Sequence, residues 1–287
     1  MRVTIIGVGL LGGSFGMALR KSGAADRVAG VDLDRATLDR AIERGAVDVG
    51  FLDLAEGVEG ADLVVLATPV RAILEMLPGL ASILGRETVL LDLGSTKAAI
   101  VSAVASETGI KRYVGGHPMA GTEHAGIEHA DARLLQDATF ALVPPPEVDE
   151  GAVDLLTDLV RGIGACPVVI TAERHDRIVS ITSHLPYLLS VALALAAENM
   201  AREEDRLGAF AASGFRDTTR LAASNVRVMA DICLTNGRPL LRGIEDARRL
   251  LDDLAALIEE GRESELVRTL TTAKESRASL LEERRTD

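Results

Sequence analysis

The sequence predicts an α/β doubly wound sheet over residues 1–171 followed by an all-α helical half over 172–287. Three observations lead there. Up to about residue 170, short β-branched runs alternate with stretches of helical spacing, the one-dimensional trace of a parallel sheet wound with helices. Beyond Thr171 no strand pattern recurs, and long Ala- and Leu-rich stretches take over, broken at Gly208, Gly214, Pro239 and Gly261. A glycine-rich turn stands between the first strand pattern and the first helix pattern, where such sheets take up their ligands.

Residues 3–6, 28–32, 63–68, 89–92 and 113–115 read as parallel strands, and 140–143 and 168–170 extend the sheet. Residues 33–45 and 70–77 have helical spacing. The first strand runs into Gly7-Val8-Gly9-Leu10-Leu11-Gly12 and then an apolar helix through Leu19. In such a unit Gly7 permits the tight turn, Gly9 lets a pyrophosphate approach the backbone, and Gly12 lets helix and strand pack closely. The free amides at the start of that helix, from Leu10 and Leu11 onward, suit a diphosphate. The second strand ends in Asp32, placed to accept hydrogen bonds from adenosine ribose hydroxyls and to repel a 2′-phosphate. The unit is therefore Rossmann-type with NAD as its expected cofactor, while Arg35 leaves some tolerance of NADP. The competing reading is the same sheet in a methyltransferase or a nucleotide sensor. Asp34 suits the cap of the next helix. Thr68 and Pro69, ending the third strand, are either walls for the nicotinamide ribose or a plain connecting turn.

Composition narrows the classes further. Hydrophobic residues make up 47% and charged residues 26%, which describes an ordinary globular chain and excludes a disordered one. The net charge of -12 repels nucleic acid and anionic membrane surfaces, and two Tyr, five Phe and no Trp leave few platforms for base stacking. An anionic substrate must then be met by local arginines. Cys166 and Cys233 lack metal-ligand spacing and read as small buried hydrophobes, so no metal is expected. The chain enters a strand pattern at once with no export signal, which makes the cytoplasm the expected compartment. The most apolar stretch, 185–197, is shorter than a bilayer span, has Pro186 in its first turn, and reads as a buried helix.

Two further loops leave the same edge of the sheet: Asp92-Leu93-Gly94-Ser95-Thr96-Lys97 and Gly115-Gly116-His117-Pro118-Met119-Ala120-Gly121-Thr122-Glu123. With His175-Asp176, Ser183-His184-Leu185-Pro186 and Gly214-Phe215-Arg216-Asp217-Thr218-Thr219-Arg220, they make the sequence resemble the prephenate dehydrogenase family, arogenate dehydrogenases included, over nearly its whole length. The resemblance implies NAD-dependent oxidative decarboxylation of prephenate to 4-hydroxyphenylpyruvate in tyrosine biosynthesis, or of arogenate to tyrosine. Hydride loss from C4 requires a base on the C4 hydroxyl, and the resemblance gives that role to His117, read here as lying on a constrained loop. Ser95 is implied to hydrogen-bond both His117 and that hydroxyl; capping the helix ahead of Lys97 is its plainer role. Arg220 is implied to grip a substrate carboxylate as a bidentate partner, with Arg216 near the same face or in a surface ion pair. His184 lines the substrate pocket by the same resemblance, and Asp176 either orients it or positions the cofactor-side loop. Glu123 either gates the substrate entrance or is a surface carboxylate. His124 and His129 read as surface residues.

Two departures from the family pattern fall at the substrate end. Tyr187 stands where many relatives place a second pocket histidine, and Met229 where a tryptophan is common. Both bear on the choice between prephenate and arogenate. The helical half, 172–287, is expected to bind substrate and to dimerise, because its stretches at 188–197 and 240–258 carry more apolar surface than one small lobe hides.

Overall fold

The computed structural model describes residues 1–121 and 124–283. Strand β1 (Arg2–Ile6) leads to helix α1 (Leu10–Ser22), β2 (Arg27–Val31) to α2 (Arg35–Glu43), and β3 (Val49–Phe51) to α3 (Leu54–Val58). The alternation continues through β4 (Leu63–Leu66), α4 (Val70–Ile83), β5 (Val89–Asp92), α5 (Ala98–Ala103) and β6 (Tyr113–Pro118). It closes with β7 (Thr139–Val143), α6 (Glu150–Gly162) and β8 (Cys166–Val169). The eight strands pair in the order β3-β2-β1-β4-β5-β6-β7-β8, and every pair is parallel except β6 with β7.

Alternate residues of the central strands feed two cores, one on each face of the sheet. Ile5, Val65 and Leu91 pack with Phe15, Leu19, Leu38 and Leu156, while Ile6, Val64 and Leu90 pack with Ile73, Leu77, Leu80 and Ile100. Because both faces are covered, β4 reads Leu-Val-Val-Leu without alternation. Each such side chain contributes about 1.5–3 kcal/mol on burial. This two-sided burial holds the C-terminal strand ends in one row, and the glycine turn, Thr68, Ser95 and His117 all follow from that row.

Beyond the sheet come α7 (Ala172–Val179), a π-helical segment at Ser180–His184, and α8 (Leu185–Ala201), which together form one 30-residue helix, Ala172–Ala201. Pro186 has no amide to offer the carbonyl of Thr182, and the widened π turn, in which the Leu185 amide reaches the Ser180 carbonyl, takes up the mismatch. Helices α9 (Leu207–Phe210), α10 (Ser213–Thr219), a 3₁₀ turn at Arg220–Ala223 and α11 (Val226–Thr235) follow, then α12 (Gly237–Glu259) and α13 (Glu263–Glu283).

The chain divides into two compact units, Met1–Leu240 and Leu241–Asp287, so the change of element type at residue 171 falls inside the first unit. The second unit is helical throughout its described residues and exposes Leu250, Leu251, Ile258, Val267, Leu270 and Leu280.

Four expectations need correction. The apolar stretch at 185–197 belongs to a helix that is long and apolar enough, by length and composition, to cross a membrane, since helical structure extends back to Ala172. That helix is also not buried along its length: Leu189, Leu193, Leu195 and Met200 are exposed. Cys166 is exposed on β8, an edge strand, and Cys233 is half-buried. Finally, His117 lies in a strand, not a loop. Gly-Gly-His-Pro has little strand character, but β7 pairs Gly115 with Val143, His117 with Ala141 and Pro118 with Phe140, and so carries β6 past the end of its parallel partner.

Candidate active site

The glycine turn has the shape its sequence suggests. Gly7 sits at φ +90°, and a Cβ on Gly12 would meet the Gly7 carbonyl oxygen at 2.0 Å and the Ala67 Cβ at 2.9 Å. A Cβ on Gly9 would meet nothing within 4 Å. The close packing therefore belongs to Gly7 and Gly12, and the open space to Gly9, where α1 begins with no side chain capping its first amides. Asp32 accepts hydrogen bonds from the Val8 amide through Oδ2 and from the Asp34 amide through Oδ1, each at 3.2 Å. It ties the glycine turn to β2 and keeps lone pairs for further donors. Asp34 caps α2 through the amides of Ala36 and Thr37. Thr68 Oγ1 is buried without a hydrogen-bond partner among the described residues, and Pro69 caps α4 at the same edge. An open helix start at Gly9, a turn closed to a Cβ at Gly7 and Gly12, and an orphaned hydroxyl fit a dinucleotide with its diphosphate over Gly9, Leu10 and Leu11.

Beneath the neighbouring strand ends lies a buried polar cluster that the sequence motifs do not announce. Lys97 Nζ pairs with Asp92 Oδ1 and donates to the Gly116 carbonyl at 2.7 Å, both side chains being fully buried. Tyr113 donates to the other Asp92 oxygen at 2.8 Å, and the Gly94 amide to Oδ1 at 2.7 Å. Burial lowers the Lys97 ammonium and the Asp92 charge opposes it, whereas burial and that same charge push the Tyr113 phenol well above its ordinary value. The cluster fastens the 92–97 loop to the backbone immediately before His117.

His117 is buried. Its Nδ1 lies 2.8 Å from His175 Nε2, and His175 Nδ1 lies 2.8 Å from Asp176 Oδ1. Burial first, then His175, Lys97 and His184, holds the His117 ring well below the usual histidine range, so it is neutral at neutral pH. Asp176 also accepts the amides of Lys97 at 2.8 Å and Ala98 at 2.9 Å. It thereby caps α5 from another helix, the position for which Ser95 was the sequence's candidate. Ser95 is half-buried, and among the described residues no hydrogen bond joins it to His117.

Asn236, just past α11, donates to the Asp176 carbonyl at 2.8 Å and meets His184 Nδ1 at 3.1 Å. Since an amide nitrogen only donates, His184 Nδ1 accepts and its proton sits on Nε2, a buried atom without a partner among the described residues. Burial lowers His184 to about 4, against the opposing charge of Asp176 and with help from His175. Thr96 and Thr235 hydroxyls meet at 2.8 Å, a second tie between the 92–97 loop and α11.

The structure thus brings His117, His175, Asp176, His184 and Asn236 together. Tyr187 is half-buried on α8, three residues beyond His184. Arg220 is exposed in the turn that packs on α8, where the Ala222 amide donates to Ser190 Oγ at 2.9 Å; Arg216 is exposed on α10. Glu123 lies outside the described residues. Asn236 and Tyr113 stand in no motif, and Asp92 and Lys97, the two ends of the 92–97 motif, had no role assigned to them.

Fold and site define an NAD-dependent dehydrogenase. Residues 15–169 match the nucleotide-binding domain of prephenate dehydrogenase and residues 171–272 its dimerization domain. The prephenate dehydrogenase of Bacillus subtilis is 34% identical over 281 residues, 97% of this chain and 76% of the relative. The crystal structure of prephenate dehydrogenase from Aquifex aeolicus, solved with hydroxyphenyl propionate and NAD+, superposes with a TM-score of 0.92 at 32% identity and covers 98% of each chain. Arogenate dehydrogenase of Synechocystis superposes with a TM-score of 0.83, also at 32% identity, covering 98% of this chain and 100% of that one. The chain belongs to the prephenate dehydrogenase family.

Proposed function

We propose that this enzyme oxidises prephenate with NAD to 4-hydroxyphenylpyruvate, releasing CO2, in tyrosine biosynthesis. The observation that carries the reading is His117, buried and neutral at the C-terminal edge of the parallel strands, the same edge from which the glycine turn leaves β1. Removing hydride from C4 leaves a hydroxyl that must shed its proton as the carbonyl forms, and a neutral imidazole accepts it. The bound nicotinamide supplies the hydride acceptor. Loss of the ring carboxylate as CO2 then makes the ring aromatic and the reaction one-way.

The residues divide the remaining work. Gly7, Gly9, Leu10, Leu11 and Gly12 hold the diphosphate, Asp32 the adenosine ribose, and Thr68 and Pro69 the nicotinamide side. Ser95 and His117 meet the C4 hydroxyl, and Glu123 gates the entrance. Arg220 grips a carboxylate, and His184, whose Nε2 proton has no partner among the described residues, offers a donor to the substrate from a pocket that Tyr187 also lines. In this reading 1–171 serve the cofactor, and 172–287 serve substrate and dimer contacts. Arogenate is the second reading; it is supported by Tyr187 in place of a second histidine and by the likeness to the Synechocystis enzyme.

A homodimer through the helical half accounts for the exposed Leu189, Leu193, Leu195 and Met200. The cytoplasm is the compartment that goes with this reading. The 30-residue helix commits His175, Asp176 and His184 to polar contacts within the fold, which a lipid-spanning helix would forfeit.

The test is to mix purified protein with NAD or NADP and with prephenate or arogenate, following reduced-cofactor absorbance and the phenolic product. Turnover with NAD and prephenate is expected. No turnover with either substrate overturns the reading.

A further inference from the structure

We infer that His175, held by Asp176, is a positioning residue that fixes His117 as the tautomer with its proton on Nδ1, leaving Nε2 as the lone pair that takes the substrate's hydroxyl proton. The inference rests on the proposed role of His117 as base, and it concerns a residue that the sequence motifs quote without a task.

For singly protonated His175, the chain of roles follows from one end. Asp176 uses both carboxylate oxygens as acceptors for the backbone amides of Lys97 and Ala98, at 2.8 and 2.9 Å. It meets His175 Nδ1 at 2.8 Å in the same capacity, so His175 Nδ1 carries a proton and donates it. When His175 carries that single proton, its Nε2 is left with a lone pair. The only way His117 Nδ1 can approach that lone pair to 2.8 Å is as a donor. The rings meet edge to face, with centroids 5.0 Å apart and planes at 68°, which aims one ring's nitrogen at the edge of the other. With its proton committed to Nδ1, neutral His117 has a bare Nε2.

The arrangement also answers an energetic difficulty. A ring held well below the usual histidine range is a poor base for an alcohol. Among the described residues the groups facing it are Lys97 from the 92–97 loop, His175 from α7 and His184 from the π segment, with Asp176 behind His175 and Asp92 and Tyr113 tied to Lys97. Asp176 is the carboxylate aligned with the His117–His175 contact. As the hydroxyl O–H bond breaks and the Nε2–H bond forms, positive charge grows on His117, and its Nδ1–H already points through His175 toward that carboxylate. The hydride leaves C4 with its electron pair for the oxidised nicotinamide, and the oxygen's electrons form the C=O bond. No proton need cross between the two histidines.

Two variants separate positioning from mere packing. His175→Phe keeps a ring but offers no acceptor; His175→Gln offers a side-chain carbonyl to the Nδ1–H. His175→Phe should lower kcat by about 100-fold or more while KM for both substrates stays within about threefold, and His175→Gln should recover at least about tenfold of that loss. Nitrogen-15 spectra of histidine-labelled enzyme, with the His117 signals assigned by their loss in His117→Asn, should show the Nδ1–H form in wild type and the Nε2–H form gaining population in His175→Phe. An Nε2–H form in wild type overturns the inference, as does a His175→Phe enzyme with normal kcat and an unchanged His117 spectrum. Should His175→Phe fail to fold, the wild-type spectrum and His175→Gln still decide the matter. The spectra need no turnover, so failure of the substrate assignment leaves them standing.

Discussion

The backbone amide of Lys97 donates to the side chain of Asp176 across 79 residues of sequence, at 2.8 Å in the buried interior. That contact joins the loop carrying Ser95 to the helix carrying His175. Asp176→Ala would leave the buried Lys97 amide, the part-buried Ala98 amide and one imidazole donor without acceptors, at a cost of about 1–3 kcal/mol each where water cannot enter. We expect a loss of about 3 kcal/mol in urea unfolding for Asp176→Ala and roughly half of it for Asp176→Asn, which retains one acceptor oxygen. Equal stability of Asp176→Ala and wild type would contradict the capping role.

Gly9 and Gly12 should fail in opposite ways. An alanine methyl at Gly12 collides with the Gly7 carbonyl at 2.0 Å, so Gly12→Ala should lose about 2 kcal/mol or more of stability together with NAD binding. The methyl of Gly9→Ala enters open space in the fold and should leave the melting temperature unchanged. Titration with NAD should nonetheless show at least about tenfold weaker binding, because that space is where the diphosphate approaches. Unaltered NAD affinity in Gly9→Ala would exclude this placement.

Lys97 and Asp92 are a fully buried pair, and removing one partner strands the other's charge. Lys97→Met should destabilise the fold by about 3–5 kcal/mol, and the double variant Lys97→Met, Asp92→Asn should recover a substantial part of that. A double-mutant cycle in denaturant measures the difference. Strict additivity would show that the two side chains act independently.

Acid should weaken the fold through two histidines. His184 is lowered to about 4 and His117 lies well below the usual range, so the unfolded chain binds protons before the native state does. Their contribution is complete above a pH of about 6.5, where neither state is protonated, and is lost as the pH falls from there through 4. His184 alone corresponds to about 3 kcal/mol over that interval. Unfolding measured between these limits should show stability declining with falling pH, and His184→Gln should flatten the slope. A slope unchanged by that variant would count against the buried neutral state of His184.

Kinetics should separate the base from the carboxylate clamp. His117→Asn is expected to lower kcat by about 100-fold or more with NAD affinity intact, whereas Arg220→Ala should chiefly raise KM for the substrate. A His117→Asn enzyme with near-normal kcat would remove His117 from the role of base.

Much of the site was legible because its chemistry needs particular residues next to one another in sequence. Gly7, Gly9, Gly12 and Asp32 serve one βαβ unit, and Ser95 and His117 each stand in a short contiguous motif, the first after β5 and the second at the end of β6. The parts that escaped are those assembled from distant segments. Asn236 is an unremarkable residue between two helices until it is seen reaching both Asp176 and His184. Strand β3, three residues with a central glycine, has no pattern of its own and exists through its pairing with β2. Helix α4 continues through Pro78 to Ile83, although proline predicts a stop, because Leu77 and Leu80 are both locked into the core.

By itself the sequence determined the alternation of strands and helices, the glycine turn and its acid, and the motif that resembles the prephenate dehydrogenases. Those are local facts, set by periodicity and by spacing along the chain. Only the tertiary structure decided that His117 ends a strand instead of lying in a loop, that its Nδ1 belongs to His175, and that Asp176 caps a helix 79 positions away. The reason is physical: a hydrogen bond between remote residues depends on how two surfaces pack, and burial decides which imidazoles remain neutral. Neither is written in the neighbourhood of any one residue.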